Sequence, residues 1–153
     1  GTKFYLDMFA AGARFAILLD CLPIGHAATT CQALSPTDRA RLSKHAADLR
    51  RLSGCFIAHV PGDERTEGGC QAASGLLHVN ALGQVEPCPF LHVSHSPGPA
   101  TLEAALRSNL FDGIRRHAGT HGVEARVPCF YLDRRDLLRG VVKTAGARET
   151  SPF

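Results

Sequence analysis

The chain has 153 residues and no apolar run that approaches the ~18 residues a membrane-spanning helix needs. Its longest such run, "FAILLDCLPIG", is interrupted by Asp20 and closed by Pro23, so no membrane partner is expected. It has no basic-then-apolar leader, so nothing marks secretion and the expected compartment is the cytoplasm. It has little charge of either sign in one place. Its 17 basic and 14 acidic residues give a net charge of +3, and the basic ones gather only as short pairs, Arg50-Arg51, Arg115-Arg116 and Arg134-Arg135. Nucleic-acid binding draws on a concentrated basic face, so none is expected. Repeats and low-complexity segments are absent. At 44% hydrophobic and 20% charged residues the chain is globular, with length for one domain or two small modules. It opens on Gly1 rather than Met, and the expectation is a fragment or an incomplete reading frame.

What the sequence does have is a helix-and-strand grammar that changes near residue 65. Residues 1–14 read as the end of a helix with Phe4, Met8 and Ala11 on one face. "RFAILLDC" (14–21) reads as a strand buried on both faces, as in a parallel sheet. Residues 26–34 read as loop. Ser35 as N-cap, Pro36 at the first helical position and Asp38 three residues after the cap start a helix. Leu42, Ala46, Leu49 and Leu52 form its apolar stripe, and Gly54 ends it. "CFIAHV" (55–60) is a second strand, completing a βαβ unit. Beyond residue 65, Leu77 and Val79 alternate with Leu76, His78 and Asn80, so period two replaces period 3.6. "NALGQ" (80–84) turns a hairpin at Gly83, and 91–100 read as loop. Thr101 caps a short helix, a second piece carries Leu110, Phe111 and Ile114 inward, and 117–126 read as loop. Asp133 caps a last helix with Leu137, Leu138, Val141, Val142 and Ala145 on its apolar face.

Six cysteines are more than packing alone needs. Cys70 follows Gly68-Gly69, and Cys88 stands between Pro87 and Pro89. Read from the residues alone, these two thiols are ligands, a disulfide or buried fillers. Stiff Gly- and Pro-rich turns favour ligation, because they fix the direction of a thiol, and soft thiolates suit zinc or iron–sulfur clusters. Cys129, in "RVPCFYLD", is also preceded by proline. Cys21, Cys31 and Cys55 lie in or beside apolar elements and read as small buried hydrophobes. Of the eight histidines, His92 and His95 are nearest this set in sequence, and His78 reads as facing solvent or a partner. Asp20, at the end of a strand, is either polar lining at the mouth of a barrel or a helix cap. Asp63, Glu64 and Glu67 read as a solvated loop. Arg115-Arg116 and Arg134-Arg135 read as surface charge.

"GGC…HVNALGQVEPCPF", "TLEAALRSNLFDGIRR" and "PCFYLDRRDLLRGVVKTAGA" together resemble the C-terminal region of radical S-adenosylmethionine (SAM) enzymes with a SPASM or Twitch extension. In that family a cysteine, a spacer, a glycine, four residues and a second cysteine open an auxiliary iron–sulfur site. Here twelve residues separate Cys70 from Gly83 and four separate Gly83 from Cys88. Thr101–Arg115 matches the helix that follows in the family, and Cys129 matches the late cysteine. "FAILLDCLPIG" resembles the last barrel strand and its turn. The chain departs from the family in lacking the Cys-x3-Cys-x2-Cys loop that holds the SAM-cleaving cluster. It also has no cysteine among the 40 residues between Cys88 and Cys129.

The resemblance implies an α/β fold. Residues 1–64 would be the final strand–helix–strand units of a partial (β/α) barrel, and 65–153 a small α+β SPASM/Twitch-like module with a β-hairpin and C-terminal helices. It implies one auxiliary 4Fe–4S cluster on Cys70, Cys88 and Cys129, with water, substrate or His92 at the fourth iron, supporting radical chemistry or anchoring substrate. S-adenosyl-L-methionine would belong to the intact protein. The partners implied are the missing N-terminal half, in the same polypeptide or another chain, and a peptide or protein substrate. Catalytic residues are not identified, and the chain alone should not cleave SAM. The alternatives are a peptide- or protein-binding module, metal-stabilised or metal-free, and a small zinc-binding protein in which His92 or His95 completes a Cys3His set.

Overall fold

The computed structural model describes residues 1–65, 68–118 and 129–150. It is a mixed α/β structure that divides into two compact units, the first ending at residue 67 and the second beginning at residue 68. The readings made for Glu67 and for the loop beyond residue 118 lie outside the described residues.

In the first unit, α1 (Thr2–Ala10), β1 (Phe15–Leu19), α2 (Ala27–Thr30), α3 (Pro36–Ser53) and β2 (Phe56–Val60) follow in order. The Ser35 hydroxyl accepts a hydrogen bond from the Asp38 backbone N–H at 3.1 Å, and Gly54 ends α3 with φ 64°. This is the cap, first-position proline and glycine stop that the sequence presents. β1 and β2 pair in parallel, Phe15 opposite Phe56 through Leu19 opposite Val60. Leu18, Leu49 and Ile57 form the core, with Tyr5, Phe9, Ala16 and Leu42 packed against it.

Several sequence expectations for this unit fail. β1 is buried on one face only: Phe15, Ile17 and Leu19 are exposed, as is Phe56 on β2, because the sheet has only two strands. α1 turns Tyr5 and Phe9 inward and leaves Phe4 and Met8 exposed. Leu52 falls off the buried stripe of α3. The segment 26–34 contains α2 rather than loop alone, and its return brings Cys31 to Cys21, with which it forms a disulfide across a Cα–Cα distance of 6.5 Å. Neither cysteine, nor Cys55, is fully buried.

In the second unit, β3 (His78–Val79) and β4 (Val85–Glu86) form the hairpin, turning at Gly83 with φ 74°. β5 (Val93–Ser94) follows, then α4 (Leu102–Leu106), α5 (Asn109–Ala118), α6 (Phe130–Asp133), α7 (Arg135–Ala145) and β6 (Arg148–Glu149). The Thr101 side chain accepts from the Ala104 N–H and caps α4. Leu110, Phe111 and Ile114 of α5 are fully buried and make its core with Tyr131. β5 lies where loop is expected, because it pairs antiparallel with β6 more than fifty residues later, Val93 opposite Glu149. Asp133 is the last residue of α6 rather than the cap of α7, whose cap position is held by Arg134.

Candidate metal centre

The three cysteine readings that carry the functional expectation all fall in the second unit. α5 serves as their common support. The Cys70 N–H donates to the Ala118 carbonyl at 3.2 Å, at the end of α5. Two residues after Cys129, the Tyr131 hydroxyl donates to the Ile114 carbonyl at 2.6 Å, one turn earlier on the same helix. The Cys70 loop is tied to the Cys88 corner through Ala73, whose N–H is shared between the Leu76 carbonyl at 3.0 Å and the Pro87 carbonyl at 2.9 Å. Ala73 holds this position with a positive φ of 63°, and its own carbonyl accepts from Arg115 Nη1 at 3.1 Å. Arg115 therefore clasps the loop and also donates to the Leu106 carbonyl at 2.8 Å, so it is more than surface charge.

The Cys88 thiol feels both of the other two thiols. Burial pushes the Cys88 thiol up to about 12, and the nearby Cys129 and Cys70 push it the same way. The backbone N–H groups of Phe90 and Leu91 act in the opposite direction, and the Leu91 N–H donates to the Cys88 carbonyl at 3.2 Å. The Tyr131 hydroxyl is raised first by burial and then by Cys70, Cys129 and Cys88. Tyr131 is fully buried, with Phe130 edge-on to its ring at 4.8 Å between centroids. Cys88 and Cys129 are buried, and Cys70 is half-buried. Among the described residues, no group of three or more His, Cys, Asp or Glu side chains stands close enough to hold a metal ion.

The histidines do not join the thiols. His78 and His92 flank Glu86, with Nδ1 at 2.8 Å and 3.7 Å from its Oε2. Glu86 also accepts from Asn80 at 3.0 Å and from the Thr150 hydroxyl. His78, read from its alternation as facing solvent or a partner, is partly exposed and also has Glu86 as an internal partner. In the first unit, Asp20 is neither a helix cap nor an open lining group. Its Oδ1 lies 2.9 Å from His59 Nε2, both side chains are fully buried, and His59 Nδ1 lies 3.3 Å from the Ser43 hydroxyl. Asp63 is likewise engaged rather than solvated: its carboxylate accepts from Arg50 at 2.5 Å and from the His59 N–H at 2.8 Å. Those bonds hold its pKa below the usual carboxylate value, against burial, which is the largest single influence and acts upward.

Two contributors have no sequence signal. Tyr131 reads as one aromatic in an apolar stretch, and Ala73 reads as an ordinary loop residue. Only folding shows that one anchors the Cys129 segment and the other joins two cysteine-bearing turns. No described helix is long and apolar enough to cross a membrane. No protein-family profile, curated protein or solved structure matches the chain.

Proposed function

We propose that the chain is the C-terminal part of a radical SAM protein and that its second unit holds an auxiliary 4Fe–4S cluster through Cys70, Cys88 and Cys129. One observation carries this reading: the Cys70 and Cys129 thiols act electrostatically on Cys88, and all three, from three separate segments, act on the same buried tyrosine. Thiolates are the donors that iron–sulfur clusters take, and backbone N–H bonds to the sulfur tune such sites. The Phe90 and Leu91 N–H groups next to Cys88 lower its pKa and so favour the thiolate. Thiolates gathered in a buried place would repel one another, and a cation among them would convert that repulsion to attraction.

The chain's own contribution is positional. α5 holds the Cys70 and Cys129 segments through backbone carbonyls, Arg115 fixes the Cys70 loop through Ala73, and Phe130 and Tyr131 exclude water. When bound, the cluster would pass electrons or anchor substrate through an iron that cysteine does not hold. His92 belongs to the Glu86 group, so no protein side chain is assigned to that iron. With no Cys-x3-Cys-x2-Cys loop, the chain depends on an N-terminal half for SAM cleavage. The exposed apolar face of the β1–β2 sheet agrees with that dependence.

Anaerobic reconstitution with iron and sulfide tests the proposal. About four irons and about four sulfides per chain, with absorbance near ~400 nm, are expected. The Cys88→Ala variant should lose them while keeping its helical content. Stoichiometric zinc in place of iron, or a stably folded chain that takes up no metal, would overturn the reading.

A further inference from the structure

A cavity of about 340 Å³ lies in the second unit between α7 and the β5–β6 ribbon. Its floor is apolar, with Leu132, Leu138 and Val142 each half-exposed. Its rim carries Arg135, Arg139 and Lys143, all exposed and spaced four residues apart along one face of the helix. Glu149 is the sole acid in the lining. Among the described residues no ion pair takes any of the three cations.

The stability of α7 does not account for this stripe. Like charges four residues apart destabilise a helix, and Arg135 in the first turn stands at the positive end of the helix dipole. β6 pairs with β5 alone, so among the described residues its other edge is open, and an open edge accepts an extended segment. A cationic rim around an apolar floor is complementary to a segment carrying both carboxylates and apolar side chains. The apolar groups sit in a concavity, which a chain can enter and the surface of an anionic bilayer cannot.

We propose that this cavity docks an acidic peptide segment in which apolar and acidic residues alternate. The inference rests on charge and shape alone and does not depend on the metal reading. The test uses the full 153-residue chain and a fluorescent peptide of about twelve residues that alternates Glu and Leu. Anisotropy should show saturable binding that weakens as salt rises. Arg135→Glu with Arg139→Glu should weaken binding at least about tenfold while helicity is unchanged, since both positions are exposed. Leu138→Asn should also weaken it. Equal binding of a polyglutamate without apolar residues, unaltered binding to the charge-reversed variant, or association only with phosphatidylserine vesicles would each overturn the proposal.

Discussion

Glu86 is only 1% exposed, and among the described residues its ion-pair partners are two histidines, His78 and His92. Burial by itself would raise its pKa. Bonds from Thr150, His78 and Asn80, with the charge of His92, outweigh burial and hold it below the ordinary carboxylate value. A folded-state pKa below the unfolded one gives stability that is present above the unfolded value and is lost as pH falls through the folded value. The second unit should therefore weaken below about pH 4.5, the ordinary range for a glutamate. Glu86→Gln should lower stability at neutral pH by about 1–3 kcal/mol and flatten the acid limb, as read from urea midpoints measured across pH. A variant as acid-sensitive as the parent would place the sensitivity elsewhere. The sequence marks Glu86 only as a polar residue beside a proline, because its donors come from residues 78, 80 and 150, with the charge of His92 beside them, and meet only in the fold.

At the scale of elements, what can be read early is what is specified locally. α3 is legible because its cap, first-position proline and terminal glycine adjoin it, and the hairpin because Gly83 and the alternation around it lie within a few residues. β5 and β6 are two-residue strands that exist through each other, so neither leaves a periodic trace. The inward face of α1 depends on which side the β1–β2 sheet offers, which no helix pattern contains. The same limit applies to Gly113, which inside a helix reads as a weak point. A Cβ placed there would lie 2.7 Å from Val141 Cγ1, so the missing side chain lets Val141 of α7 sit against α5. In an isolated helix Gly→Ala gains about 1 kcal/mol. Overpacking against a stiff β-branched neighbour costs about 1–3 kcal/mol. Gly113→Ala should thus be destabilising, and adding Val141→Ala should return part of the loss, a coupling that a double-mutant cycle measures. A stabilised single variant would show that the two helices have room to part.

For the molecule as a whole, the two units differ in how far each encloses its own apolar residues. The second surrounds Phe111, Leu110, Ile114 and Tyr131 completely. The first rests on a two-stranded parallel sheet that leaves Phe15, Ile17, Leu19 and Phe56 at 61%, 54%, 70% and 69% exposure on one face. Parallel sheets occur with both faces covered, and two-stranded ones are marginal by themselves. Burying the exposed parts of four such side chains is worth roughly 4–8 kcal/mol, comparable with the entire stability of a small domain. The sequence reads β1 as covered on both sides because its apolar run is continuous. That run encodes a covering layer, and the two described strands do not supply it. The 153-residue chain alone should therefore exchange the β1 and β2 amides well before those of α5, and should bind a hydrophobic dye at the bare face. Ile17→Glu with Phe56→Lys should abolish the dye signal and leave the protection of α5 unchanged. If the strands are as protected as α5 in the lone chain, the exposed apolar face does not weaken the first unit.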